Sequence, residues 1–203
     1  MKRILDLLLT LAAAPVWVPA AAIVALLVRI RMGSPVLFTQ LRPGLNAAPF
    51  KLFKFRTMLN ETESDGSVLT DGERLTSFGR WLRASSLDEL PELWNVLRGD
   101  MSLVGPRPLL QEYVALYSRE QSRRHEVRPG ITGWAQINGR NATTWEDRLR
   151  LDVWYVDNRS FWLDLKIILF TIVRVLRREG VSQHGEATMS RFGGASNPGS
   201  RNG

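Results

Sequence analysis

The sequence predicts a small mixed α/β domain that follows an apolar amino-terminal segment long enough to enter a membrane. Three observations lead to this fold class. Residues 7–28 form an uncharged run, and about 20 residues suffice for one membrane crossing. Residues 50–57 alternate in the way that a half-buried strand does. Several later segments combine helix-capping residues with apolar residues at helical spacing.

Composition places the chain among folded proteins and excludes several kinds of site. The 203 residues are 44% hydrophobic, which is enough for one domain with a buried core. The absence of cysteine excludes a disulfide framework, a cysteine-ligated metal and a thiol nucleophile. Only His125 and His184 are histidines, so a His-rich metal site is excluded as well, and His125 is interpreted as structural. A net charge of +7 favours anionic partners such as nucleic acid, anionic lipid or phosphorylated substrates.

The apolar run is compatible with three topologies: a signal peptide, a straight span and a re-entrant hairpin. Lys2 and Arg3 precede the run and further arginines follow it. Basic flanks prefer the cytoplasmic side, and a straight span would place one of them outside. Pro15 and Pro19 lie near the middle of the run, where each lacks an N–H and bends or breaks a helix. The residues leave the hairpin and a kinked span open, and the signal peptide is the least favoured of the three.

The next segments predict strands, a loop and a helix. Residues 34–40 and 50–57 are predicted strands, 60–73 a polar surface loop and 74–84 a helix. The second strand is predicted to present Leu52, Lys54 and Arg56 on one face and Lys51, Phe53 and Phe55 on the other. Such a strand suits a surface that touches both a core and an anion.

The most informative pattern in the chain surrounds two adjacent carboxylates, Asp88 and Glu89. Ser86 and Glu89 have the spacing of a capping box, whereas Pro91 is typical of a first helical turn. The two signals disagree by a few residues on where the helix begins. Both place the carboxylates at its positive amino end, and Gly99 is predicted to end it.

Asp88 and Glu89 support two interpretations. Carboxylates at the amino end of a helix ordinarily only cap it, and without further evidence that interpretation is favoured. In the functional interpretation, Asp88 is a nucleophile that attacks phosphorus to give an acyl-phosphate. Glu89 then holds Mg²⁺, which binds one or two carboxylates together with substrate phosphates.

Two arginine-bearing loops frame the following region. Residues 102–108 predict a rigid turn that holds Arg107, and residues 109–127 predict an amphipathic helix that stops before a proline. Residues 129–141 predict a glycine-rich loop that carries Arg140. Fixed arginines on such loops suit recognition of phosphate oxygens.

The carboxyl-terminal part is predicted to hold two helices and a tail. Thr143 and Glu146 have capping-box spacing and open a helix through about Asn158. A strongly apolar helix starts at Ser160 and is interpreted as interfacial, with a buried core helix as the alternative. Residues 181–203 are predicted to form a largely disordered tail.

Four segments together resemble one protein family. They are KFRTM (54–58), SLDELPELWNVLRGDMSLVGPRPL (86–109), VRPGITGWAQINGRN (127–141) and LDVWY (151–155). The chain resembles the monotopic phosphoglycosyl transferases, the bacterial sugar transferase family. Its short length and the ending VSQHGEATMSRF resemble the small branch that starts bacterial N-linked glycans on a diacetylbacillosamine phosphate.

The resemblance implies a fold and a set of site residues. It implies a re-entrant membrane helix over 1–31, a catalytic domain over 32–180 and interfacial amphipathic helices. Asp88 matches the family's nucleophile, and Glu89 its Mg²⁺-binding partner. The residues that match positions lining the family's active site are Lys54, Arg83, Arg107, Arg140 and Asp152. Pro19 matches the helix-breaking proline, although this chain has Val18 where the family has serine, and an additional Pro15.

The resemblance also implies an activity and a location. Family members transfer a sugar-1-phosphate from a UDP-sugar to undecaprenyl phosphate with Mg²⁺ and release UMP, on the cytoplasmic face of the bacterial inner membrane. The implied partners are those two substrates, membrane lipid and downstream glycosyltransferases, with no nucleic acid. One alternative is the same chemistry on a different UDP-sugar for O-antigen, capsule or exopolysaccharide. More distant alternatives are a membrane-tethered nucleic-acid binder, which would explain the positive charge, and a membrane scaffold.

Overall fold

The computed structural model describes residues 2–59, 70–138, 144–176 and 192–194. The helices of this part are α1 (Lys2–Ala12), α2 (Ala14–Met32), α3 (Asp71–Arg74), α4 (Ser77–Ala84), α5 (Glu92–Arg98), α6 (Arg119–Ser122), α7 (Trp134–Asn138), α8 (Trp145–Asn158) and α9 (Phe161–Leu176). The strands are β1 (Leu37–Pro43), β2 (Pro49–Phe55), β3 (Ser102–Val104) and β4 (Gly130–Thr132). Short 3₁₀ turns cover Leu45–Ala47, Leu87–Glu89, Gln111–Leu116 and Arg123–Glu126. The predicted mixture of helices and strands is confirmed.

The strands form two small sheets. β1 and β2 pair antiparallel, from Leu37 opposite Phe55 to Pro43 opposite Pro49, so both predicted strands form, the first of them three residues later than predicted. β3 and β4 pair in parallel. Their approach requires glycine, because a Cβ added to Gly130 would lie 2.0 Å from the backbone nitrogen of Gly105.

The apolar amino-terminal segment forms two helices that are separated at Ala13. Pro15 lies in the first turn of α2, where its missing N–H leaves no intrahelical bond unmade. Pro19 lies inside α2, so the expectation that Pro19 forms the break is wrong. The indole N–H of Trp17 donates to the Thr10 carbonyl (3.0 Å), at the end of α1 where helix carbonyls lack intrahelical partners.

The amino end of α1 is anchored on the domain by charged side chains. The Lys2 ammonium contacts the Asp164 carboxylate at the start of α9 (2.6 Å). The buried Asp6 carboxylate accepts hydrogen bonds from the Ser102 hydroxyl (2.8 Å) and the Leu103 N–H (3.1 Å) of β3. Buried charges require such partners, so these contacts fix where α1 enters the domain.

The far end of α2 packs on the same domain. Val24 and Val28 are buried in a core cluster with Phe55 of β2 and Leu82 of α4. Both ends of the helix pair therefore contact one body. α2 is also long enough and apolar enough to cross a membrane, since an 18-residue window has a mean hydropathy of 1.6.

The predicted capping box at Ser86 is wrong. Ser86 has a φ of 56° and caps no helix, whereas an N-cap residue needs an extended backbone. Instead, its N–H donates to the Arg83 carbonyl (3.1 Å), so Ser86 is the left-handed residue that ends α4. Pro91 precedes α5, which ends at Gly99 with a φ of 95°, as predicted.

The predicted helix over 109–127 is also wrong. Tyr117 is extended and separates a 3₁₀ turn from α6. Ser118 and Gln121 form a reciprocal capping box, so a local start signal competes with a continuous helix.

Residues 129–141 are not a pure loop, because β4 and α7 occupy their described part. Thr143 lies outside the described residues, and Thr144 caps α8 by accepting from the Asp147 N–H (3.1 Å). α8 runs to Asn158 and α9 follows, close to prediction.

One described part of the carboxyl-terminal tail docks on the domain. Phe192 is buried, and its ring lies 5.5–5.6 Å from those of Tyr113, Tyr117 and Trp145. Most of residues 181–203, predicted to be disordered, lie outside the described residues.

Candidate active site

From strand β2, Lys54 reaches the carboxylates of Glu89 and Glu92. Its ammonium lies 2.8 Å from Oε1 of Glu89 and 3.1 Å from Oε1 of Glu92. The buried Asn95 of α5 fixes this approach. Its Oδ1 accepts from the Phe53 N–H (3.1 Å), and its Nδ2 donates to the Lys51 carbonyl (2.8 Å). The amide therefore holds β2 against α5 immediately before the lysine in the strand.

Arg107 approaches from the turn after β3. Its Nη2 donates to Oε1 of Glu89, the same oxygen that Lys54 contacts. The Arg124 guanidinium donates to the Arg107 backbone carbonyl (2.7 Å), which holds the turn in place. Two cations from different elements thus converge on one carboxylate oxygen.

Arg83 reaches the site from α4. Its Nε donates to the Thr57 hydroxyl (3.0 Å), and its positive charge acts to lower the pKa of Asp88. α4 lies close to the chain after β2, since a Cβ on Gly79 would be 1.9 Å from the Thr57 carbonyl oxygen. Glycine at this position is what allows the close approach.

The three carboxylates differ in their electrostatics. Burial and the charge of Glu89 raise the pKa of Asp88 to about 6, against the opposing effect of Lys54 and Arg107. Burial and Glu89 likewise raise the pKa of Glu92 to about 7. Burial also opposes ionisation of Glu89, but Arg107 and Lys54 hold its pKa well below the usual range. Glu89 is therefore the fixed anion, and the other two carboxyls are poised near neutral pH.

The arrangement suits an ionised nucleophile beside a phosphate-binding surface. At pH 7, a carboxyl with a pKa of about 6 is mostly deprotonated, so Asp88 is available to attack. Perturbed carboxyls next to fixed cations are typical of catalytic sites. Lys54, Arg83 and Arg107 place positive charge around Asp88 and Glu89, and fixed cations of this kind stabilise charge that develops on phosphate oxygens.

The carboxylate oxygens of Asp88 and Glu89 suit a hard cation that takes its remaining ligands from the substrate. Within the described ranges, no cluster of three or more His, Cys, Asp or Glu side chains could hold a metal alone. The charge of the adjacent Glu89 disfavours ionisation of Asp88, and a divalent cation would relieve that repulsion. Mg²⁺ commonly takes one or two carboxylates and completes its shell with phosphates and water.

Two predicted site residues stand apart from this cluster. Asp152 of α8 is buried and pairs with Arg124 through Nη2 (2.8 Å) and Nε (3.1 Å). It reaches the site indirectly, because Arg124 in turn holds the Arg107 carbonyl. Arg140 lies outside the described residues.

The sequence interpretation missed Glu92, Asn95 and Arg124. Glu92 follows Asp88 by one helical turn, so its spacing was an available signal. Nothing local marks Arg124, whose partner Asp152 is 28 residues away. Asn95 likewise bonds to residues more than 40 positions earlier in the chain.

Comparisons with known proteins give a matching family and several relatives. The family described as "Bacterial sugar transferase" matches residues 1–178. The chain is 60% identical over 168 residues to "Uncharacterized sugar transferase EpsL" of Bacillus subtilis (strain 168), covering 83% of each chain. It is 40% identical over 187 residues to "UDP-glucose:undecaprenyl-phosphate glucose-1-phosphate transferase" of Caulobacter vibrioides, covering 86% of this chain and 69% of the relative.

Some relatives are much longer. "Undecaprenyl-phosphate glucose phosphotransferase" of Komagataeibacter xylinus is 42% identical over 195 residues, which cover 85% of this chain but 35% of the relative. The chain thus corresponds to about a third of that protein.

Proposed function

The chain belongs to the bacterial sugar transferase family, and we propose that it transfers a sugar-1-phosphate from a UDP-sugar to undecaprenyl phosphate and releases UMP. It is a phosphoglycosyl transferase, as the names of its relatives indicate. The single observation that carries the mechanism is the buried Asp88 beside Glu89, whose carboxylate is held by Lys54 and Arg107.

The reaction runs in two halves. A carboxylate oxygen of Asp88 attacks the phosphorus that bears the sugar, and the bond from that phosphorus to the UMP oxygen breaks. UMP leaves with the bonding electron pair, and the sugar phosphate remains on Asp88 as an acyl-phosphate. An oxygen of undecaprenyl phosphate then attacks the same phosphorus and displaces the Asp88 carboxylate. The product is a sugar linked to the lipid through a diphosphate.

Each charged neighbour has a separate role in these steps. Lys54 and Arg107 stabilise the negative charge that builds on the phosphoryl oxygens. Glu89 would hold Mg²⁺, with Asp88 adjacent. When bound, the metal supplies a Lewis acid that neutralises phosphate charge. Arg124 and Asp152 position the Arg107 turn from behind.

We further propose that the helices insert into the inner membrane from one side, its cytoplasmic face. α1 and α2 start and finish on the same domain, which supports a re-entrant hairpin. α9 supports an interfacial role, since it exposes a row of large apolar side chains: Phe161, Trp162, Leu165, Leu169, Phe170 and Ile172. Single cysteines replacing Lys2 or Arg31 would be unique in the chain. Both should react only with a reagent on the cytoplasmic side, and labelling from opposite sides would disprove the hairpin.

The sugar remains a separate proposal. The carboxyl-terminal ending supports a UDP-diacetylbacillosamine substrate, with downstream glycosyltransferases extending the lipid-linked sugar. The relatives' names instead include glucose, galactose and N-acetylgalactosamine. A UMP-release assay over a panel of UDP-sugars with undecaprenyl phosphate in detergent decides among them.

The decisive experiment separates the halves. With Mg²⁺ and UDP-sugar but no lipid, UMP should appear in a burst stoichiometric with enzyme, and the sugar-phosphate mass should map to Asp88. If the wild-type protein forms no adduct until lipid is added, the two-step mechanism is wrong.

A further inference from the structure

Arg42 projects toward the active site from strand β1, on the same side of the hairpin as Lys54. In the antiparallel register, Arg42 lies opposite Phe50 and Phe38 lies opposite Lys54. Paired residues share a face of the sheet, and so do alternate residues along each strand. Arg42 therefore lies on the side where Lys54 meets Glu89.

The Arg42 guanidinium is incompletely satisfied. Its Nη2 donates to Oε1 of Gln40 (2.6 Å), and this partner is a neutral amide. Its Nε is buried and has no hydrogen-bond partner within the part of the chain that the structure describes. Burial, together with the neighbouring charge of Arg107, lowers the pKa of Arg42. Both effects mean that the positive charge is desolvated and repelled by a second guanidinium.

The neighbouring carboxylates are engaged elsewhere. Glu89 is contacted by Lys54 and Arg107, and Glu92 by Lys54. The charge of Glu92 favours ionised Arg42 from a distance, but the ion pairs of the described residues give Arg42 no carboxylate contact. Buried donors are normally bonded, so the unbonded Nε is a donor that a ligand oxygen would satisfy.

The chemistry of that ligand follows from the two guanidiniums. An anion placed between Arg42 and Arg107 would relieve their repulsion and accept the free N–H. Guanidinium forks match the several oxygens of a phosphate group. We propose that Arg42 and Arg107 together bind one phosphate group of a substrate, with Arg42 as a contact that the sequence motifs did not indicate. This inference rests on the proposed function, which offers two sources: the diphosphate of the UDP-sugar and the phosphate of the lipid.

Arg42→Met tests the site, because methionine keeps an apolar stem and removes the fork. Arg150→Met is the matched control, since it makes the same charge change at a residue whose side chain is 78% exposed on α8. If the site binds the diphosphate, the lipid-free UMP burst should slow at least about tenfold in Arg42→Met. If it binds the lipid phosphate, the burst should stay unchanged and the KM for undecaprenyl phosphate should rise at least about tenfold. Activity within about twofold of the control in both halves would overturn the proposal.

Two further measurements exclude a merely structural role. Arg42→Lys keeps the charge without the fork and should recover part of the lost burst rate or KM. Arg42→Met should melt no lower than wild type, because the substitution removes a desolvated, repelled cation. A lower Tm with no recovery in Arg42→Lys would mean that Arg42 serves the fold, and would overturn the site.

Direct binding keeps this inference separable from the proposed function. UDP or undecaprenyl phosphate should raise the Tm of the wild-type protein, and Arg42→Met should lose the shift for one of the two. This readout needs no turnover. A wild-type protein that shows the shift but no UMP burst would refute the two-step mechanism and leave the phosphate site standing. A shift retained in full by Arg42→Met for both ligands would refute the site alone.

Discussion

Within the part of the chain that the structure describes, the charge cluster at Arg124 and the charge cluster at Glu89 are built differently. Arg124 and Asp152 form a closed pair, with side chains that are 2% and 6% exposed. The remaining donors of Arg124 reach the Tyr117 hydroxyl (3.1 Å) and the Arg107 carbonyl (2.7 Å). The described hydrogen bonds of this guanidinium all end on groups of the protein itself, and the pair holds elements together.

The cluster around Glu89 is open by comparison. One carboxylate oxygen is shared by Lys54 and Arg107. The pKa values of Asp88 and Glu92 are raised to about 6 and about 7, so both carboxyls change protonation state near neutral pH. The structural pair balances one cation against one anion. In the open cluster, a phosphate would compensate the positive charge of Lys54 and Arg107, and a cation would compensate the negative charge of the carboxylates. Incomplete pairing of this kind distinguishes a ligand-binding cluster from a structural ion pair.

The largest effect is expected at the centre of the open cluster. Asp88→Asn keeps the shape of the side chain and removes the nucleophile, so it should form no sugar-phosphate adduct and lose roughly 10³-fold or more in kcat. Intact-protein mass spectrometry after incubation with UDP-sugar checks this. Asp100→Asn is the matched control, because it makes the same change at a carboxylate that contacts Asn95 and Arg98. This variant should still form the adduct. An adduct in Asp88→Asn would make Asp88 a bystander.

The closed pair should break at a cost in stability. Arg124→Met leaves the Asp152 carboxylate buried without its partner, which destabilises proteins by about 3–5 kcal/mol. Thermal unfolding in detergent should show the lower Tm. The double variant Arg124→Met with Asp152→Leu should regain much of that stability. Its kcat should stay low, because the hydrogen bond from Arg124 to the Arg107 carbonyl is still missing. Full activity in the double variant would contradict a positioning role.

Glu92→Gln sharpens the comparison from the other side. It removes a buried carboxyl whose ionised form is disfavoured by the charge of Glu89, so the free energy of unfolding should be maintained or rise. We expect kcat to change less than about tenfold, since Lys54 keeps its contact with Glu89. Measuring Tm and kcat together checks both expectations. A loss as large as that in Asp88→Asn would move Glu92 into the catalytic machinery.

The smallest effect is a pH dependence beside the closed pair. Burial and the charge of Arg124 lower the pKa of His125 to about 4, against about 6.5 in an unfolded chain. The unfolded state therefore binds more protons between these values, and stability should be lost as pH falls from about 6.5 toward 4. His125→Gln should lose less Tm than wild type between pH 7 and pH 5. Equal losses in both proteins would place the pH dependence elsewhere.

Local signals in the sequence predicted local structure well. Alternation identified β2, and glycine at 99 marked the end of α5. The predicted cap of α8 at Thr143 was one residue early, since Thr144 caps the helix. Signals that depend on context failed. The Ser86 pattern matched a capping box, but α4 ends on that residue and holds it left-handed. Spacing alone does not report which of two adjacent helices claims a residue.

The sequence by itself determined the apolar amino-terminal segment, the α/β character and the adjacent Asp88 and Glu89. The adjacent carboxylates and the strand alternation are recognised over a few residues, and the apolar segment is one uninterrupted run of the sequence. Tertiary structure alone decided that Lys54, 35 residues before Glu89, and Arg107, 18 residues after it, meet on one oxygen. The reason is physical: pairing across such separations is set by how β2, α5 and the turn after β3 pack. Packing depends on the shape and burial of whole elements, which no short pattern records.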